Sequence, residues 1–289
     1  MIGVVGMGAM GSRIAARLLE TGHPVAVWNR TAGKAAALVE LGAELAATPA
    51  ELSASSEVVI TMLADPAALR ETVQGPTGIA AGLAPGAEVI EMSTVGPPAI
   101  RWLRSQLPAG VGLVDAPVLG SVAQAERGDL TLYVGGSEGS VRRVTPVLNA
   151  LGTVVRTGDS GSGAAAKLAA NAALFMAVAA VGEAIAFARS AGLGDDVVDR
   201  VLETTPLAAE AARRRPLLEA GDYPPRFSLA LAAKDARLIL EAAPAAGRLR
   251  LIEGVHEWLD QAEQEGRGDQ DYTAMLATIT SSPPERNPR

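Results

Sequence analysis

Cysteine is absent from the 289 residues. That excludes disulfides and thiolate metal sites, and it leaves the compartment unreadable from cysteines. Histidine is nearly absent: His23 and His256 are the only two, and their spacing makes no metal site. His23, between Gly22 and Pro24, reads as a turn residue, and His256 falls in a late helical pattern. Net positive charge is missing as well. At −7 the chain is ill suited to nucleic acid or an anionic membrane surface. Lysine is scarce: only Lys34, Lys167 and Lys234 stand among 25 basic residues, the rest being arginine. Where arginine is the everyday cation, a remaining lysine suits a task arginine cannot do, such as releasing a proton near neutral pH, although chance also leaves a few. Lys34 reads as an ordinary exposed cation, which leaves Lys167 and Lys234 to be explained.

Apolar residues are plentiful at 48%, against 20% charged, enough for a sizeable core, and the length suits two domains. The longest apolar run is Gly161–Arg189. It is alanine-rich and carries Lys167, Asn171 and Glu183, so it reads as the central helix of a soluble protein rather than a membrane span. Lys167 and Asn171, four residues apart, lie on one face of that helix. The N-terminus enters a strand pattern directly, without the pattern of a secretory leader, and the expected location is cytoplasmic.

Ile2–Val5 is a short apolar strand leading into Gly6-Met7-Gly8-Ala9-Met10-Gly11, then a helical pattern to Glu20 and a second strand, Val25–Trp28. In this context Gly-x-Gly-x-x-Gly predicts a dinucleotide turn. Gly6 permits the tight bend, Gly8 lets a pyrophosphate approach the backbone, and Gly11 lets the helix pack on the strand. The helix N-terminus then offers N–H groups to the phosphates. After the second strand comes Asn29-Arg30-Thr31, with no acid to hold ribose hydroxyls. Arg30 suits a 2′-phosphate, so NADP(H) is expected over NAD(H), although an arginine in a turn can also simply cap a helix.

Further strands are expected at Val58–Leu63, Glu88–Met92, Gly112–Ala116, Thr131–Val134 and Thr153–Val155, with helices at Pro66–Val73, Pro98–Gln106 and Glu138–Leu151. The alternation implies an α/β domain with a mostly parallel, doubly wound sheet, whose ligands sit beyond the C-terminal strand ends. After Gly161 no strand pattern remains. Helices are expected at Asp195–Glu203, Pro206–Glu219, Leu229–Ala242, Leu251–Glu265 and Tyr272–Ile279. The domain boundaries are therefore placed at 1–160, 161–280 and a disordered tail, 281–289.

The glycine turn, the Asp115-Ala-Pro-Val stretch, the glycine-led lysine helix and the late Lys234-Asp235 pair follow in one order. In this the whole chain resembles the β-hydroxyacid dehydrogenase family, which includes 3-hydroxyisobutyrate dehydrogenases, semialdehyde and glyoxylate reductases and, more distantly, 6-phosphogluconate dehydrogenase. The resemblance implies a Rossmann-type N-terminal domain and an all-α C-terminal domain joined by the long helix. It implies cofactor contacts at Gly6, Met7, Gly8, Ala9, Met10 and Gly11, at Asn29, Arg30 and Thr31, and at Leu63, Ala64 and Thr94 near the nicotinamide, with Lys234 approaching the cofactor. It makes Lys167 the general acid/base and Asn171 the residue that holds the substrate.

Ser93, Leu119, Gly120 and Ser121 would line the substrate site with Lys167 and Asn171. Two positions depart from the family pattern. Leu119 stands where a serine usually helps to hold a substrate carboxylate, and Ala170 replaces the first of two asparagines. The expected reaction is reversible hydride transfer between NADPH and a small aldehyde or ketone carrying an acid group. Imine reduction and a non-catalytic dinucleotide-binding role are the alternatives. No metal, membrane or nucleic acid is called for. A helix apolar on every side must be covered, which points to a homodimer or homotetramer through the helical domain.

Overall fold

Short apolar runs bounded by glycine and proline become strands, and the longer periodic stretches between them become helices. The computed structural model describes residues 1–243 and 247–281. It divides into two units, Met1–Leu168 and Ala169–Arg289.

The first unit holds nine strands: β1 (Ile2–Val5), β2 (Val25–Trp28), β3 (Glu44–Leu45), β4 (Val58–Thr61), β5 (Glu88–Glu91), β6 (Gly112–Asp115), β7 (Val118–Leu119), β8 (Leu130–Gly136) and β9 (Gly152–Gly158). Between them lie α1 (Ala9–Glu20), α2 (Ala36–Glu40), α3 (Pro49–Ala54), α4 (Pro66–Val73), α5 (Ile79–Gly82), α6 (Gly96–Gln106), α7 (Val122–Arg127) and α8 (Glu138–Leu151). The sheet order is β3-β2-β1-β4-β5-β6-β8-β7, with β9 beside β8. Pairing is parallel from β3 to β6, antiparallel where β8 meets β6 and β7, and parallel again to β9. β3 and β7 were not expected; at two residues each they carry no periodic signal. The expected strand Val58–Leu63 stops at Thr61, where the chain turns across the sheet end.

The strands are apolar on both faces because helices cover both. Neighbours in sequence go to opposite cores. Val4, Ile60, Ile90 and Val114 pack with Ile14, Leu18, Val144 and Leu148 of α1 and α8. Val5, Val59, Val89 and Leu113 pack with Leu52, Leu69, Ile100 and Leu103 of α3, α4 and α6. Leu18 is wholly buried, and burial of such a side chain contributes about 2–3 kcal/mol. The helices start where their caps dictate. Asp65 Oδ1 accepts from Ala68 N–H ahead of Pro66, and Ser137 caps α8.

α9 (Ser162–Ser190) begins in the first unit and continues into the second. The second unit adds α10 (Asp195–Glu203), α11 (Ala208–Ala220), α12 (Leu229–Ala242), α13 (Arg250–Ala262) and α14 (Met275–Ser281). The helix expected over Leu251–Glu265 is α13 followed directly by a π-helical turn, Glu263–Arg267, which Gly266 kinks at φ 83°. The one expected at Tyr272 opens as a 3₁₀ turn before α14. Phe175, Phe227 and Tyr272 stack at centroid separations of 5.5–6.0 Å, and Arg214 lies 5.3 Å from the centre of the Tyr272 ring. Gly182 lets α9 and α14 approach: a Cβ there would meet Ile279 and Leu276 at 3.0 Å. Ser281, placed in the tail by sequence, is the last residue of α14, and 282–289 lie outside the described residues.

Candidate active site

The strand order reverses between β1 and β4, and the turns leaving these two strands border a crevice. Gly6 sits there at φ 102°, and a Cβ on it would meet the Met62 carbonyl oxygen at 2.3 Å. Gly11 packs α1 onto the same turn, with space for no side chain: its Cβ would fall 1.9 Å from the Gly6 oxygen. Gly8, by contrast, faces open space and is exposed. No side chain caps α1 at Gly8, and no acid occupies its first turn. The positive end of the helix is therefore left bare for an anion. A glycine cradle closed behind and open in front fits a dinucleotide pyrophosphate.

A cavity of about 530 Å³ runs from Gly6 and Gly8 past Asn29, Arg30 and Thr31 at the end of β2 to Leu63 and Ala64 after β4. Asn29 braces the glycine turn, since its Oδ1 accepts from Met7 N–H at 2.9 Å and its amide donates to the Thr31 carbonyl. Arg30 is largely exposed and lies 3.5 Å from Glu71 of α4, which lines the same cavity. Lys34, set aside from sequence as an ordinary cation, also lines it. Met7 is buried, and Ala9, Met10 and Gly11 open α1; none of these four expected contacts lines the cavity.

The last residues of β4, β5 and β6, namely Thr61, Glu91 and Asp115, share one register row. All three are fully buried. Glu91 Oε1 accepts from Ser93 N–H at 2.7 Å, and the other carboxyl oxygen bonds the Thr61 hydroxyl. Ser93 Oγ accepts from Leu63 N–H at 2.8 Å, and Thr94 is half-buried beside it. Burial pushes the Glu91 carboxyl up to about 7 against the pull of its hydrogen bonds to Ser93 and Thr61, with the nearby Asp115 adding to the rise.

Asp115 holds the start of α9. Its two oxygens accept from Gly161 N–H at 2.7 Å and Ala164 N–H at 2.8 Å. Gly161 bends at φ 95°, and a Cβ on Gly163 would meet the Tyr133 carbonyl at 2.3 Å. The Gly-Ser-Gly start of the helix is thus a seat against β6 and β8. Lys167 lies one turn further along α9, buried at 9% exposure.

In the second unit Asn171, one turn beyond Lys167 on α9, donates its amide to Asp235 Oδ2 at 2.7 Å. Lys234 Nζ lies 2.8 Å from Asp235 Oδ1. The Glu183 carboxylate, a conceivable partner for a helix lysine, instead accepts from Trp258 Nε1. Leu119 is in β7 opposite Thr131, and Gly120 follows it at φ 149°. Ser121 is the N-cap of α7: Gln124 N–H donates to its hydroxyl, and Gln124 Oε1 accepts from its backbone N–H. Among the described residues no group of three or more His, Asp or Glu is placed to hold a metal ion.

The sequence does not single out Thr61 or Glu91 as site elements; it marks Asp115 only as the head of the Asp115-Ala-Pro-Val stretch and Asp235 only as the companion of Lys234. The available signal was an acid at the last position of two apolar strands, where an exposed acid and a buried one read alike.

Comparison with known proteins agrees with this geometry. Residues 1–158 match the family described as the NAD binding domain of 6-phosphogluconate dehydrogenase. Residues 161–279 match the NAD-binding domain of NADP-dependent 3-hydroxyisobutyrate dehydrogenase. Glyoxylate/succinic semialdehyde reductase 2 of Arabidopsis thaliana is 30% identical over 97% of this chain and 80% of its own. The 3-sulfolactaldehyde reductase of Escherichia coli K12 is 33% identical, covering 97% and 96%. The solved structure of Mycobacterium tuberculosis 3-hydroxyisobutyrate dehydrogenase superposes with a TM-score of 0.83 at 26% identity, over 97% of this chain and 99% of that one. Fold, glycine cradle and these relatives define an NAD(P)-dependent oxidoreductase acting on CH–OH groups. Within that class the chain belongs to the β-hydroxyacid dehydrogenase family.

Proposed function

We propose that the protein reduces a small aldehyde or ketone carrying an acid group, reversibly and with NADPH in preference to NADH, using Lys167 as general acid/base. Residues 1–160 form the cofactor-binding part, and 161–280 the part for substrate and self-association. When bound, the reduced nicotinamide supplies a hydride to the carbonyl carbon. The Lys167 ammonium gives its proton to the carbonyl oxygen, producing the alcohol and a neutral amine that regains a proton from solvent; the reverse reaction runs these proton steps backwards. Asn171 orients the substrate oxygen, its amide held in one rotamer by Asp235. Ser93, Thr94, Leu119 and Gly120 border the substrate. Ser121 supports that rim through the cap it makes on α7, and Lys234, paired with Asp235, contributes a second cation.

The observation that carries this reading is the Asp115 anchor. A buried carboxylate bonded to two N–H groups of the first turn of α9 sets Lys167 at a defined depth. Support for NADPH comes from Arg30, Thr31 and Lys34 lining the cavity beyond β2, where no acid stands on the strand end. The apolar Leu119 favours a substrate with hydrocarbon next to its carbonyl. Self-association is supported by α9, which leaves Ala169, Ala173, Ala180 and Phe187 exposed along its length.

Lys167→Met tests the proposal. Incubated with NADPH and a panel of semialdehydes and keto acids, the variant is expected to bind NADPH as the parent does and to lose turnover by a factor of about 100 or more. Turnover within about tenfold of the parent would remove Lys167 from the acid role.

A further inference from the structure

The hydride-transfer scheme leaves the Glu91 carboxyl without a task, yet a carboxyl at this depth is an expensive residue to keep. An apolar side chain of similar size would fill the end of β5 at lower cost. The bonds it makes show what it does instead. One oxygen accepts from Ser93 N–H, two residues beyond the end of β5. The other bonds Thr61 at the end of β4. Ser93 then passes the link on, its hydroxyl accepting from Leu63 N–H in the turn after β4. That turn is pressed against the dinucleotide cradle, since the Met62 oxygen and the Leu63 side chain are what a Cβ on Gly6 would strike, at 2.3 and 3.0 Å. One buried carboxyl therefore ties two turns together and sets their distance from the glycine turn.

The sheet order says which part of a cofactor those turns face. Along β2-β1-β4-β5, Arg30 stands at the end of β2 and the glycine turn at the end of β1. With the 2′-phosphate at Arg30 and the pyrophosphate at Gly8, the remaining half of the molecule extends over β4 and β5. Leu63 and Ser93 then lie under the nicotinamide riboside. This step rests on the cofactor reading proposed above.

We propose that Glu91 is a positioning residue for the nicotinamide half of the cofactor, holding the turns after β4 and β5 at the spacing that seats it. The arrangement works with the carboxyl ionised or protonated. Ionised, it accepts from both Ser93 N–H and the Thr61 hydroxyl. Protonated, it still accepts from Ser93 and donates to the Thr61 oxygen, whose own hydrogen then turns to the Ile90 carbonyl at 3.4 Å. A hydroxyl that both donates and accepts is needed at position 61 for this, which valine would not supply.

The test is calorimetric titration of NADPH and of adenosine 2′,5′-bisphosphate, which lacks the nicotinamide half, into the parent, Glu91→Gln and Glu91→Leu. Glutamine reproduces the protonated pattern, its oxygen accepting from Ser93 and its amide donating to Thr61. It is expected to bind both ligands within about twofold of the parent. Leucine is expected to weaken NADPH about tenfold or more and leave the bisphosphate within about twofold. Equal weakening of both ligands, or of neither, would overturn the proposal. If the parent binds neither ligand, the cofactor reading itself falls. Should Glu91→Leu fail to fold by circular dichroism, Thr61→Val decides the matter. It is expected to weaken NADPH about threefold and spare the bisphosphate, and equal effects on the two would count against the assignment.

Discussion

Replacing Asp115 with asparagine tests whether the start of α9 is held as described. The carboxylate is wholly buried and accepts from two N–H groups, Gly161 and Ala164, at 2.7 and 2.8 Å. Asparagine keeps the shape but has one acceptor oxygen. Its NH₂ must face the second N–H, donor against donor. Losing one charge-assisted hydrogen bond and stranding its donor costs about 1.5–3 kcal/mol. Removing a negative charge from the positive end of a 29-residue helix adds about 0.5–1 kcal/mol. The expected loss is about 2–4 kcal/mol, read by urea denaturation at pH 7 with and without the substitution. The first turn of α9 should relax from its seat, and Lys167 one turn on should lose its position. Turnover is then expected to fall about a hundredfold while NADPH affinity stays within about twofold, because the cradle at Gly6–Gly11 is untouched. A stability loss below about 0.5 kcal/mol together with unchanged turnover would refute the anchor.

Glu91 links stability to pH. Its carboxyl rises from the ordinary 4.5 to about 7 on folding, so between these values the folded chain holds a proton that the unfolded chain releases. The stabilisation is full below pH 4.5 and is lost as pH rises through 7, a change of about 3 kcal/mol. Glu91→Gln cannot titrate, so its stability relative to the parent should climb by about that amount from pH 4.5 to 8. A difference that stays flat with pH would contradict the burial of an ionisable group there. On the cavity rim, Glu71 competes with a 2′-phosphate for Arg30. Both side chains are largely exposed, so the pair is worth at most about 1 kcal/mol, and Glu71→Gln should tighten NADPH by up to about fivefold. Fluorescence titration with NADH should show no comparable gain; equal gains would remove Arg30 from the phosphate site.

Local chemistry explains what could be read from the chain. α4 and α8 occupy the expected residues, Pro66–Val73 and Glu138–Leu151, because Asp65-Pro66 and Ser137 supply caps within one turn of the helix they start. The nucleotide-binding turn was legible because Gly6 and Gly11 meet backbone within a few residues of sequence or on the adjoining strand. The i, i+4 spacing of Lys167 and Asn171 follows from helical geometry alone. The two-residue strands and the antiparallel joins at β8 were not legible, since pairing that short is set by neighbours and not by pattern. Ser121 shows the ambiguity of a lone hydroxyl, which serves equally as a ligand contact or as a helix cap.

By itself the sequence determined the α/β alternation, the dinucleotide turn and the polar pair on an apolar helix, all of them properties of a single strand, turn or helix. Only the tertiary structure decided that Glu91 ties two strand ends, that Asp115 seats α9 from 46 residues away, and that Asp235 fixes Asn171 across 64 residues. Those bonds depend on strand register and helix packing, which bring together groups whose spacing along the chain carries no period.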